Sequence, residues 1–237
     1  MFILSIIFIS TAVYIHFNQP KISPIPKKFS LVAPLPPLLV HAFYASNPST
    51  GYWVPSTQRV QALLPSPNLT ATSALSYDLT TNQFLYEKDL KQHLPIASLT
   101  KIMTAIVALE NESLNDKITV SATAANIGED SMGILQGEKF TVEELLYGLF
   151  LHSGNDTAEA IAEGSKFGVG NFVYLMNKKA EDLGLADTHF TNATGLEGDG
   201  NQYSTAYDLL ILTRYGLLKP RICKNLRDVR RRYSGKF

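Results

Sequence analysis

At 237 residues, 45% apolar and 18% charged, the chain has room for one domain with appendages and enough apolar content for a buried core, which excludes a wholly disordered polymer. The net charge of zero is uneven: residues 219–237 carry eight Lys/Arg against one Asp, and the remainder thirteen against twenty, so nothing in the acidic body suggests a nucleic-acid surface. One cysteine, Cys223, rules out intramolecular disulfides, and His16, His41, His93, His152 and His189 show no metal-ligand spacing.

Residues 2–17, "FILSIIFISTAVYIHF", contain no Lys, Arg, Asp or Glu. As a helix they reach about 24 Å, short of a bilayer core of about 30 Å, so residues 1–19 read as a signal peptide or membrane anchor. No basic residue precedes the run, whereas Lys21, Lys27 and Lys28 follow it, which runs against the positive-inside rule. Ten of the twelve prolines then fall between Pro20 and Pro67. Proline removes backbone donors and favours extended chain, so residues 20–69 read as a spacer and the folded domain is expected at 70–218.

"ATSALSYDLTTNQFLYEKD" places two apolar, aromatic-rich runs around "TTNQ", the pattern of a β-hairpin. Beyond it, Leu99, Ile102, Met103, Ile106 and Val107 repeat at helical spacing and predict an amphipathic helix with Ser98 at its start and Lys101 one turn on. A second helix opens at Thr141, where Glu144 completes a capping box and Val142, Leu145, Leu146, Leu149 and Phe150 form the apolar stripe. Asp156 and Glu159 offer a cap for the next helix, "TAEAIAEG", so Ser153-Gly154-Asn155 falls in a tight connection between helices. "NFVYLMNKKAEDLG" predicts a further helix, and "YSTAYDLLILTRYGL" another, opened by Ser204 or Thr205.

A serine hydroxyl needs a base within hydrogen-bond reach to act as a nucleophile near neutral pH. Lysine can be that base when burial holds it neutral, and a helix N-terminus supplies positive potential and N–H donors. Ser98 and Lys101 have the spacing for this. Ser153 could relay a proton, and Asn155 could hold a substrate amide. Each signal alone has an ordinary alternative: Lys101 as a solvated helix lysine, Ser153 and Asn155 as caps. One S-x-x-K is about what chance provides in this length, and S-x-N recurs at Ser66 and Ser113.

As an ordered set, "PIASLTKIMTA", "SMGILQGEKFTVEELLYGLFLHSGNDTAEAIAE" and "FVYLMNKKAEDLGLADTHFTNATGLEGDGNQYSTAYDL" closely resemble the D-alanyl-D-alanine carboxypeptidases, low-molecular-weight penicillin-binding proteins related to the serine β-lactamases. The similarity runs from about Ala71 to about Leu218, and Gly154 matches the carboxypeptidase branch, since class A β-lactamases carry aspartate there. The resemblance implies an α/β (α+β), penicillin-binding transpeptidase/β-lactamase-like fold, an antiparallel sheet flanked by helices. It implies Ser98 as nucleophile, Lys101 as general base, Ser153 as proton relay and Asn155 as substrate-amide ligand. The implied substrate is a peptidoglycan stem peptide, with β-lactams as covalent inhibitors, no metal or organic cofactor, no nucleic acid, and action on the extracytoplasmic face of the membrane.

The family's third motif, K-T-G or K-S-G on a later strand, does not occur in these 237 residues. The expectation is therefore an incomplete domain whose C-terminal strands are missing, followed by a basic, disordered tail at 219–237. The alternative is a homologue that binds cell wall without turnover.

Overall fold

The computed structural model describes residues 52–59, 67–197 and 200–220. The expected leader (1–19), most of the spacer, and residues 221–237 of the tail lie outside the described residues. No helix among the described residues is long and apolar enough to cross a membrane.

Strands β1 (Ala74–Asp78) and β2 (Gln83–Lys88) pair antiparallel, with a register shift between Ser76 and Tyr77. Their turn is local chemistry: the Asp78 carboxylate accepts from the Thr80 amide at 2.7 Å, and Asn82 supplies a left-handed residue at φ 59°. After a 3₁₀ turn at Ala97–Leu99 the chain enters α1 (Thr100–Asn111). A second two-stranded sheet joins β3 (Lys117–Thr119) to β4 (Lys139–Thr141), with the one-turn α2 (Ala122–Ala125) and a long loop between them. Then follow α3 (Val142–Leu151), α4 (Asn155–Gly164), α5 (Gly168–Asp182) and α6 (Ala206–Leu217).

The core is helical. Met103, Ile106 and Val107 of α1, Leu145 and Leu146 of α3, Ile161 of α4, Phe172 and Met176 of α5 and Leu212 of α6 are buried together. The capping box predicted at the start of α3 is present: Thr141 Oγ1 accepts from the Glu144 amide, and the Glu144 carboxylate accepts from the Thr141 amide. At α6 it is Thr205, not Ser204, that caps, accepting from the Asp208 amide at 3.1 Å. The strands do not merge into one sheet. The β1–β2 and β3–β4 pairs stand apart, each with two strands among the described residues.

One part of the spacer departs from its expectation. Trp53 is 9% exposed and meets Tyr77 edge-on at 5.9 Å, while the Arg214 guanidinium of α6 lies 4.2 Å over the indole. The Phe84 amide donates to the Gln58 carbonyl, so Arg59 forms a parallel bridge beside β2. Proline spacing identified an extended segment but not its partner. Extended chain with an aromatic side chain can dock on a sheet edge as readily as it can span solvent.

Candidate active site

The 3₁₀ turn presents Ser98 on an exposed stretch immediately before α1, one turn below Lys101. Ala97 is held at φ 44°, a conformation that costs an L-residue energy and that accumulates at functional sites. Gly195 explains what holds it. The glycine sits at φ 88° with its α-carbon packed on Ala97, so that an added Cβ would lie 1.9 Å from the Ala97 carbonyl oxygen.

Lys101 is 4% exposed, and its ammonium has three hydrogen bonds. Nζ donates to Ser98 Oγ at 2.9 Å, to Asn155 Oδ1 at 2.7 Å and to the Thr194 carbonyl at 2.9 Å. Burial pushes its pKa down from the ordinary 10.5 to about 8, against the opposing pull of Asp130, Glu129 and Asp156. Once the amine is neutral, Asn155 Oδ1 and the Thr194 carbonyl can each take one of its two hydrogens. The lone pair then faces Ser98 Oγ, which is the arrangement of a general base beside its nucleophile.

Three elements distant in sequence make this contact. Helix α1 contributes Thr100, Lys101 and Thr104 on one face, and the loop after α5 lies along it. Thr104 Oγ1 donates to the Ala193 carbonyl at 2.7 Å, and Gln202 Nε2 donates to Thr100 Oγ1 at 3.3 Å. Asn192 Oδ1 accepts from the amides of Thr194 and Gly195, which turns the Thr194 carbonyl toward Lys101. The third element is the start of α4.

Asn155 is the first residue of α4 and is 3% exposed. Its amide plane is held at both ends, Oδ1 by Lys101 and Nδ2 by the Gly128 carbonyl at 3.0 Å, while its main-chain N–H donates to the Asp130 carbonyl at 2.7 Å. Two residues earlier, Ser153 takes φ 51°, and its hydroxyl makes no hydrogen bond among the described residues. The structure thus joins Ser98 and Asn155 through Lys101 and places Ser153 in the connection between α3 and α4, two residues before Asn155.

Asp156 is not the cap that its position suggests. Gly154 occupies the N-cap and makes no side-chain cap hydrogen bond. The Asp156 carboxylate instead accepts from the amides of Met132, Gly133 and Ile134, as well as from its neighbour Thr157. Sequence reasoning also missed Thr194, whose contribution is a main-chain carbonyl. The only signal for it was indirect, an Asn followed three residues later by a Gly.

A profile of the D-alanyl-D-alanine carboxypeptidase family matches residues 58–227. The carboxypeptidase DacF of Bacillus subtilis is 40% identical over 149 residues, covering 61% of this chain and 38% of that protein. DacB2 of Mycobacterium tuberculosis is 32% identical over 169 residues, covering 71% of this chain and 58% of that one. Among solved structures, the carboxypeptidase DacD of Francisella tularensis superposes with a TM-score of 0.64 at 35% identity, covering 72% of this chain and 42% of that chain. Penicillin-binding protein 6B of Escherichia coli gives a TM-score of 0.63 at 32% identity, covering 70% and 56%. The chain thus spans about two fifths to three fifths of the length of these curated relatives. The fold is that of the penicillin-binding D,D-peptidases, with helices and small antiparallel sheets.

Proposed function

Since the chain belongs to the D-alanyl-D-alanine carboxypeptidase family, we propose that it is built for acyl transfer from a peptidoglycan stem peptide ending in D-Ala-D-Ala. Ser98 Oγ attacks the carbonyl carbon of the penultimate D-Ala as its proton passes to the neutral Lys101 amine. The tetrahedral intermediate collapses with release of the terminal D-Ala amine, which takes up the proton held by Lys101, relayed by way of Ser153. Water then attacks the ester on Ser98 as Lys101, neutral again, accepts its proton, and the ester C–O bond breaks with that proton passing to Ser98 Oγ, which frees the shortened peptide. A β-lactam would acylate Ser98 by the same first step.

The observation that carries this reading is the Lys101–Ser98 contact at 2.9 Å on a lysine whose pKa is depressed to about 8. A solvated helix lysine would have neither the burial nor the three fixed acceptors. Asn155 holds Lys101 directly, and its remaining Nδ2 hydrogen is the group it could offer to a substrate carbonyl. Oxyanion and carboxylate donors of the third family motif are not among these 237 residues, so the roles assigned here concern the nucleophile, its base and their supports. We extend the proposal to action at the extracytoplasmic face of the membrane, with residues 1–19 as the targeting or anchoring segment.

The deciding experiment is D-Ala release from diacetyl-Lys-D-Ala-D-Ala together with fluorescent penicillin labelling, each run beside Ser98→Ala. The reading expects labelling on the peptide that contains Ser98 and none in the variant. Absence of both product and adduct in the unaltered chain would overturn it as an account of this polypeptide. Membrane fractionation of the full chain against one lacking residues 1–19 tests the location.

A further inference from the structure

We propose that Asp156 is a positioning residue for the base: it gathers the loop at 128–134 so that this loop fixes Asn155, and Asn155 fixes Lys101. The inference rests on the acyl-transfer reading for its consequence in catalysis, but its physical content stands on the hydrogen bonds alone.

Asp156 is 1% exposed, and a carboxylate is rarely so buried unless it is fully bonded. Here both oxygens are used. Oδ1 accepts from the amides of Met132 at 3.0 Å and Thr157 at 2.8 Å, and Oδ2 from those of Gly133 at 2.8 Å and Ile134 at 3.2 Å. Three consecutive loop amides therefore converge on one side chain. The same loop, a few residues earlier, turns two carbonyls onto Asn155: Gly128 onto Nδ2 and Asp130 onto the main-chain N–H. Asn155 and Asp156 are adjacent in α4, so the loop is clamped between neighbouring residues, one supplying donors and the other an acceptor.

The loop has no secondary structure of its own to hold it. Between α2 and β4 it contains Glu129 at φ 64°, Gly133 at φ 82° and Gly137 at φ 85°, and its surface residues include Leu135 at 65% exposure. Without the carboxylate, three amides lose this acceptor just beyond the Gly128 and Asp130 carbonyls, and only the apolar packing of Met132 and Ile134, which has no direction, is left to hold that end of the stretch. Asn155 would then be free to rotate, and Lys101 would lose its shortest hydrogen bond. Asp156 also adds negative potential at Lys101, alongside Glu129 and Asp130.

The test compares the full chain with Asp156→Asn, which keeps the shape and loses an acceptor oxygen, and with Leu135→Ala as a control on the same loop. Amide exchange is read at Met132, Gly133, Ile134 and Asn155, and penicillin labelling is timed in parallel. The expected result in Asp156→Asn is exchange at least about tenfold faster at all four amides, with labelling slowed by at least about tenfold, as for loss of a hydrogen bond to a charged acceptor. Leu135→Ala should change neither. Faster exchange at 132–134 with Asn155 still protected would overturn the proposal, because Asp156 would then shape the loop without reaching the base.

If Asp156→Asn does not fold, exchange in the unaltered chain decides. A common opening free energy for Asn155 and residues 132–134 supports a single clamped unit, and separate values refute it. If the unaltered chain takes up no penicillin, the acyl-transfer reading falls, and the exchange result still decides the clamp.

Discussion

The hairpin β1–β2 and the shell around Lys101 are held by different means. Along β1 every residue is only partly buried, and of β2 only Phe84 is buried. The hairpin rests on an aromatic train, Trp53 to Tyr77 to Phe84, with Arg214 over its outer ring. The shell around Lys101 is polar and buried instead, and nearly every group in it is bonded to a residue far away in sequence. Apolar contacts are non-directional and tolerate small shifts, whereas a buried hydrogen-bond network has one satisfied arrangement. The hairpin needs only to stay attached; in the proposed mechanism the shell has to place one amine within reach of one hydroxyl.

The sharpest way to break that contrast is within the shell. Lys101→Ala should slow penicillin labelling about a hundred- to ten-thousandfold, the range for loss of a positioned general base. Alanine has the best helix propensity, so the far-ultraviolet circular dichroism should be unchanged. Undiminished labelling in a folded Lys101→Ala protein would remove Lys101 from the mechanism. Next in size is the helical core beneath the shell. Phe172→Ala, at a position 1% exposed on α5, should cost about 3–5 kcal/mol in urea unfolding. Phe84→Ala in the hairpin should cost less, about 1.5–3 kcal/mol, because Phe84 is buried outside the main core cluster, among strand residues that are only partly buried and can close over the gap. Equal losses would show that the hairpin is as integral to the core as α5.

The same contrast explains what could be read in the sequence. The hairpin, the α1 stripe and the Thr141–Glu144 box were legible because each depends on residues close together in the chain. Ser98 and Lys101 were legible as a pair for the same reason, being one helical turn apart. Asp156 was misread because a short acidic residue at a helix start usually caps it, and only the tertiary fold reveals that loop amides at 132–134 compete for the carboxylate. Thr194 was invisible because a carbonyl has no residue signature. Trp53 was hidden among prolines, and its cationic partner, Arg214, lies near the other end of the described chain.

A pH titration tests the shell without altering it. In the proposed mechanism Lys101 is a base only when neutral, and with its pKa near 8 the neutral fraction rises about tenfold per pH unit below that value and levels off above it. Labelling should therefore accelerate by roughly fifty-fold from pH 6 to pH 8 and then flatten. The sign for stability follows from the same shift. Between about 8 and the unfolded value of 10.5 the unfolded state binds more protons, so the penalty for a charged, buried Lys101 is fully present below pH 8 and is relieved as pH rises through that window. A rate that keeps rising through pH 10 would mean that Lys101 is not held as its burial implies.

The smallest effect belongs to the hairpin, and it measures how far the two regions are independent. Tyr77 joins three pieces there: its hydroxyl accepts from the Ser56 amide at 3.0 Å and donates to Asn82 Oδ1 at 2.7 Å, while its ring lies between Trp53 and Phe84. Tyr77→Phe keeps the ring and removes only the hydroxyl. Asn82 is on the surface, where water can replace the lost donor, so the cost should be that of one or two ordinary hydrogen bonds, about 0.5–1.5 kcal/mol. The change should appear as faster exchange of the Ser56 amide, with penicillin labelling unaltered, since among the described residues the hydrogen bonds of Lys101 go to Ser98, Asn155 and Thr194 and not to the hairpin. A slower labelling rate in Tyr77→Phe would show that the aromatic train, through Trp53 and Arg214 of α6, transmits strain to the site, and that the two regions are one mechanical unit.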